Sequence, residues 1–255
     1  MALIDSHCHL DVADFSDDLQ ETLDRAHLAG VEAFVVPAIG YSGWSNLSAL
    51  AARHPAIKPA FGLHPLYLAE HTEAHVAALP DWLTRPECVA VGECGLDFFV
   101  PGLDVERQEA IFIAHIRLAH ALGKPLIIHA RKATERVIQL LKSHGPTTGV
   151  IHSYSGSLEQ ARQLVAMGYL LGIGGPITYP RSTRLRAIVQ DIPLSKLLLE
   201  TDAPDQPMLG EQGQRNEPEK LPKVAHAVAE ACGLPYETVS LQTADNTRRL
   251  FGFAA

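Results

Sequence analysis

The sequence predicts an α/β protein, a TIM-type (β/α)8 barrel folded as a single domain over residues 1–255. Three observations carry this reading. The 255 residues match the roughly 250 typical of one eight-stranded α/β barrel. Short apolar runs alternate with longer amphipathic stretches, the signature of strands joined by helices. Residues able to bind protons and metals fall repeatedly at the carboxyl ends of those apolar runs. Hydrophobic residues make up 47% of the chain and charged residues 20%, with no linker-like or low-complexity tract, so one compact domain is expected.

In chain order, the candidate strands are LIDSH (3–7), VEAFVVP (31–37), IKPAFG (57–62), CVAVG (88–92), PLIIH (125–129), TGVIH (148–152), YLLGIG (169–174) and KLLLE (196–200). The first continues into LIDSHCHLD, where strand alternation turns His7 and His9 to one side and Cys8 to the other. Between strands, 17–30 and 105–123 read as amphipathic helices, each closed by a glycine suited to a helix C-terminus. Strands apolar on both faces imply helical cover on both sides, and the intervening helices imply parallel pairing through right-handed crossovers. A doubly wound open sheet competes, but the first strand-to-helix turn carries HCHLD rather than a glycine-rich phosphate loop. Beyond the eighth strand, 206–218 reads as a long polar loop, followed by helices in EPEKLPKVAHAVAEACG and around TADNTRRLFG. A long loop at a barrel mouth is a natural substrate contact.

Composition excludes several classes. The apolar run begins directly after Met1 with no basic leader, and no stretch is long enough to cross a bilayer, so a cytoplasmic location without membrane contact is expected. Cys8, Cys88, Cys94 and Cys232 show no framework spacing and no CxxC pair, which fits reduced packing thiols. A formal net charge of −8 argues against a broad basic footprint on duplex nucleic acid. Metal ions in a cleft would supply positive charge locally, leaving small or single-stranded phosphorylated substrates open. No obligate protein partner is evident.

The informative fact is positional. His7 and His9 end the first strand, His64 follows the third, Glu93 the fourth, His129 ends the fifth, His152 the sixth, and Asp202 follows the eighth. In a parallel barrel all those ends meet at one face, where this architecture builds its active sites. The remaining histidines, His27, His54, His71, His75, His115, His120, His144 and His226, read as ordinary surface or partly buried side chains. His71 and His75 stand four apart on a possible helix, a spacing that more often marks a solvated face than a metal site. So many imidazoles and carboxylates exceed what one tetrahedral structural zinc needs. A carboxylate such as Glu93 can bridge two ions roughly 3.5 to 4 Å apart, the arrangement that activates water for hydrolysis.

Taken together, LIDSHCHLD, GLHP (62–65), VGECGLDF (91–98), PLIIHARKA (125–133), HSYSG (152–156), LLETDAP (198–204) and NTRRLFG (246–252) resemble the TatD family of metal-dependent deoxyribonucleases in the amidohydrolase-like superfamily. GIGGPITYPRS (172–182) and ETDAPDQPMLGEQGQ (200–214) look closest to its YjjV branch. The resemblance implies two divalent ions, Zn, Mn or Mg. His7, His9 and Asp202 would hold one, His129 and His152 the other, and Glu93 would bridge both. Imidazole-rich ligation suits zinc or manganese better than magnesium. The family commonly has His-Ser-Arg where this chain has His129-Ala130-Arg131, and Cys-Phe where it has Ser153-Tyr154, changes that remove no ligand but alter the surroundings of substrate.

The expected activity is a phosphodiesterase or deoxyribonuclease acting on single-stranded DNA ends or on small phosphodiesters, by attack of a metal-bound hydroxide. Asp202 would take the proton, with His64 or Arg131 stabilising an oxygen of the phosphoryl group. The alternative is an amidohydrolase or esterase on C–N or aminoacyl ester bonds, such as D-aminoacyl-tRNA deacylation, on the same barrel. Superfamily members that bridge their metals with a carboxylated lysine need Lys on the fourth strand, and this chain has Glu93. A third reading, a binding or scaffold protein without metal, is disfavoured because all six ligand candidates are present.

Overall fold

The computed structural model describes residues 3–253. Eight parallel strands form one sheet in the order of the chain: β1 (Leu3–Asp5), β2 (Val31–Pro37), β3 (Ile57–Phe61), β4 (Ala90–Asp97), β5 (Leu126–Arg131), β6 (Gly149–Ile151), β7 (Leu170–Ile173) and β8 (Leu197–Leu199). Backbone hydrogen bonds just beyond the strand ends draw the two edges together, from Ser6 N to Leu199 O, Asp202 N to His7 O and His9 N to Ala203 O. The barrel is thereby closed where its catalytic candidates lie, and no strand edge is left open there.

Helices alternate with the strands: α1 (Leu19–Leu28), α2 (Tyr41–Arg53), α3 (Glu73–Leu83), α4 (Val105–Leu122), α5 (Thr134–Ser143), α6 (Leu158–Ala166), α7 (Thr183–Asp191) and α8 (Leu221–Cys232), with α9 (Tyr236–Phe251) after them. Local chemistry sets their limits. Ser157 and Gln160 form a reciprocal capping box at the start of α6, and Gly123 ends α4 at a φ of 62°, a conformation costly for any residue with a Cβ. Inside the barrel, Val35, Ala60, Ala90, Ile127, Val150 and Leu198 pack together, and Phe251 of α9 joins them near the N-terminal ends of the strands. The opposite end is left for polar groups.

Several expected limits move. β4 runs on through Asp97, so Glu93 lies within the strand instead of following it. The pairing of β4 with β5 is irregular between Val91 and Cys94, around Glu93, and such a shift re-aims a side chain as bulges do. β5 extends to Arg131, which therefore ends a strand. The final helix begins at Tyr236, well before TADNTRRLFG. β1 stops at Asp5, the chain bends at Ser6 and His7, and Cys8 N then bonds Val35 O, which holds the segment against β2. The loop after β8 is pinned from within: the buried Asn216 side chain donates to the carbonyls of Thr201, Asp205 and Gln206.

Candidate metal centre

All eight residues singled out from the sequence reach one end of the barrel. Seven of them, His9, His64, Glu93, His129, Arg131, His152 and Asp202, line a single cavity of about 590 Å³, and His7 lies fully buried directly behind. Glu93 is the centre. Its Oε2 lies 3.1 Å from His7 Nε2 and 3.6 Å from His9 Nε2. Its Oε1 lies 2.9 Å from His64 Nε2, 3.3 Å from His129 Nδ1 and 2.9 Å from His152 Nε2. Asp202 Oδ1 completes the first side, 3.5 Å from His7 Nε2 and 3.6 Å from His9 Nε2. Gly62 makes this convergence possible, because a Cβ there would stand 2.5 Å from the Glu93 carbonyl oxygen and keep the His64 segment away.

The donor set fits a cation. Both Glu93 oxygens are buried without a well-formed hydrogen bond, and the Nε2 atoms of His7 and His9 face each other at 3.2 Å. Like lone pairs crowd together usefully only around a positive charge. His7, His9 and Asp202 form one group of mutually close ligand atoms, and His7, Glu93 and His152 another. A third group joins His64, Glu93 and His129.

Partners behind the rings decide which nitrogen faces inward. His9 Nδ1 lies 3.2 Å from the Pro37 carbonyl, which can only accept, so that nitrogen carries the proton and Nε2 is free to bind. His129 Nε2 lies 2.9 Å from Asp97 Oδ2, so Nε2 donates and Nδ1 faces Glu93. His152 presents Nδ1 to Glu200 Oε1 at 3.6 Å, leaving Nε2 inward. His64 differs. Its Nδ1 accepts a hydrogen bond from Leu66 N at 3.1 Å, so the neutral ring carries its proton on Nε2, the atom facing the cavity. It is built as a donor.

Burial shapes the electrostatics. It pushes the Asp202 carboxyl up to about 7, with Glu93 and Glu200 adding to the effect against His152. It takes His9 down to about 4 and His7 well below its ordinary value. Burial also opposes charging of His129 and His152, but the carboxylates beside them prevail: Asp97 and Glu93 raise His129, and Glu93 with Glu200 raises His152. Glu93 is held well below the usual carboxylate range, the surrounding imidazoles overcoming its burial.

Several residues with clear tasks have no role in the sequence reading. Asp97 orients the His129 ring through a hydrogen bond, Glu200 lies 3.6 Å from His152 Nδ1, and Asp5 accepts from His7 N and, across the barrel seam, from Thr201 N. Each is a carboxylate in an otherwise apolar strand or at its end, a costly placement that was the available signal. His71 and His115 are fully buried, not surface residues. His71 Nε2 bonds His64 O at 2.9 Å and His115 Nε2 accepts from Leu63 N, so both prop the segment that carries His64. His75 belongs to the capping box of α3 and forms no pair with His71. Arg131 ends β5 at the cavity rim, with its guanidinium 3.8 Å from the Phe99 ring centroid. Cys8 is buried away from the cavity beside Val35 O, and all four cysteines are free thiols.

A family profile described as TatD related DNase matches residues 4–252. Among known proteins, the chain is 40% identical to YjjV of Escherichia coli K12, described as an uncharacterized metal-dependent hydrolase, with 97% of each chain covered. It is 33% identical to the similarly described YabD of Bacillus subtilis, with 98% of each covered. The crystal structure of the Escherichia coli YjjV protein superposes with a TM-score of 0.95 at 39% identity, covering 99% of this chain and 98% of that one.

Proposed function

The chain belongs to the TatD family of metal-dependent hydrolases, and on that premise we propose that it is a phosphodiesterase that removes nucleotides from the ends of single-stranded DNA, using two divalent ions. The observation that carries this reading is the placement of the two Glu93 oxygens, one towards the His7 and His9 side and the other towards the His129 and His152 side. When bound, the ion pair would lower the pKa of water and neutralise charge on the phosphoryl oxygens.

The chain's own residues supply the rest. His7, His9 and Asp202 would hold one ion, His129 and His152 the other, with Glu93 placed to serve both. Asp202 receives the proton of the attacking water. Gln206 Nε2 bonds its other oxygen and fixes its direction. The His64 Nε2 proton faces Glu93 Oε1 at 2.9 Å; with that oxygen engaged by an ion, it would donate instead to an oxygen of the phosphoryl or leaving group. Arg131, its guanidinium 3.8 Å from the Phe99 ring centroid at the rim, offers a planar fork to a phosphate oxygen. The overall charge of −8 leaves little attraction for a long duplex, which favours an end-directed substrate.

The test is an activity panel with manganese added: end-labelled single-stranded DNA, RNA, D-aminoacyl-tRNA and a cyclic amide. Stepwise shortening of the DNA from one end supports the proposal. Turnover of the aminoacyl ester or amide with the DNA left intact overturns it.

A further inference from the structure

A second cavity of about 420 Å³ adjoins the metal mouth and shares Ser153, Ser155 and Pro176 with it as a common wall. It is built where two segments face each other: Ser153–Gly156 after β6, and the stretch from Gly174 through Ser182 that leads into α7. Both lie in motifs distinctive in the sequence, HSYSG and GIGGPITYPRS, and neither is used by the ligand set beyond His152. Arg181 and Arg184 line the cavity, and no carboxylate does. In a chain carrying eight excess negative charges, that is an uncommon local balance.

Neither arginine is paired with a carboxylate among the described residues. Arg184 Nη2 donates to Ser155 O at 2.9 Å, which ties the two walls together, and Arg181 rests near the Tyr179 ring. Tyr179 in turn donates to Pro207 O, so the arginine-bearing segment is anchored to the loop after β8. The rest of the lining is largely apolar, including Leu185, Ile188 and Pro176. An apolar slot with two unpaired guanidinium groups at its side suits a flat ring attached to a phosphate.

We propose that this cavity is a second nucleotide subsite, in which Arg181 and Arg184 hold the phosphate one nucleoside away from the phosphate at the metal centre. It rests on the phosphodiesterase reading. It also extends that reading, since it makes the preferred substrate one with at least two phosphates joined through a nucleoside. Ser153 and Ser155, on the shared wall, lie along the path between the two phosphates.

The experiment is equilibrium binding, without turnover, to the metal-loaded protein. Thymidine 3′,5′-bisphosphate is compared with thymidine 5′-monophosphate on the native chain, on Arg181→Gln and on Arg181→Gln/Arg184→Gln. The native chain should bind the bisphosphate about tenfold more tightly, the scale of one exposed charge-assisted contact. Arg181→Gln should reduce that ratio severalfold and the double variant should bring it close to one. Arg181 makes no hydrogen bond to other described residues, so the single variant tests the subsite without disturbing the Arg184 tie. Each ratio is taken on one preparation, so a partly unfolded sample scales both affinities together. A native ratio near one, or a ratio that survives both substitutions, overturns the proposal. Hydrolysis of bis(p-nitrophenyl) phosphate, measured alongside, reports separately on the phosphodiesterase reading, because that diester has no second phosphate.

Discussion

The two sides of the Glu93 carboxylate are built differently. On one side, His7 and His9 come from a single stretch after β1, and the His9 ring is oriented by a neutral backbone carbonyl at Pro37. On the other, His129 and His152 come from separate strands, and each ring is backed by a carboxylate, Asp97 or Glu200. The first pair is kept neutral by burial. The second pair is made more basic despite it. A carboxylate behind an imidazole strengthens it both as a metal ligand and as a proton acceptor, so the second side should hold its ion more firmly where both rings are deprotonated and surrender it sooner as pH falls.

The largest effect should come from removing what the two sides share. Glu93→Ala should lose ions from both positions and reduce turnover to background, with added manganese restoring little. Elemental analysis of the purified variant checks this, and a variant that keeps two ions would break the comparison at its centre.

Asp202→Asn keeps an oxygen towards the first position but cannot accept a proton. Ion content should change little while turnover falls by roughly 10²- to 10⁴-fold, the usual cost of lost general-base help. Single-turnover rates beside metal content separate the two effects.

Asp97→Asn sharpens the contrast between sides. It preserves an oxygen near His129 Nε2 but removes the charge, and should weaken the second position by about 10- to 100-fold while sparing the first. Competitive titration with a chromogenic chelator would show one weakened site and one unaltered. Equal weakening of both would mean that the sides are not independent.

The pH response is smaller and has a defined sign. His129 and His152, with raised pKa values, take up protons at or above the ordinary histidine value of about 6.5, so protons displace the second-side ion as pH falls through that range. His9 resists protonation down to about 4, and His7 is held lower than usual as well. The first side yields only Asp202, pushed up to about 7, so it loses one of three ligands where the second loses both imidazoles. Ion stoichiometry at pH 7.5 and 5.5 should show the second-side ion leaving first.

Much of this site was legible because a parallel barrel imposes a common direction on its strand ends. Once eight apolar runs are recognised, His7, His9, His64, His129, His152 and Asp202 must meet. Glu93 was found for a partly mistaken reason, since it sits inside β4 and reaches the mouth through a register irregularity that no side-chain pattern announces. The backing carboxylates were less visible because their task is set by distance between strands: Asp97 is far from His129 in the sequence, and Glu200 is further still from His152. His115 shows the same limit. Its helical periodicity is ordinary, and only the fold brings its ring to the Leu63 amide.

The central claim is that one carboxylate joins two ions. The most direct measurement is manganese titration of the native chain, followed by calorimetry and electron paramagnetic resonance. The account predicts two ions per chain, and a spin-coupled pair spectrum once the second site fills. A single ion at saturation, or two manganese ions with the uncoupled spectrum of isolated sites, would contradict it.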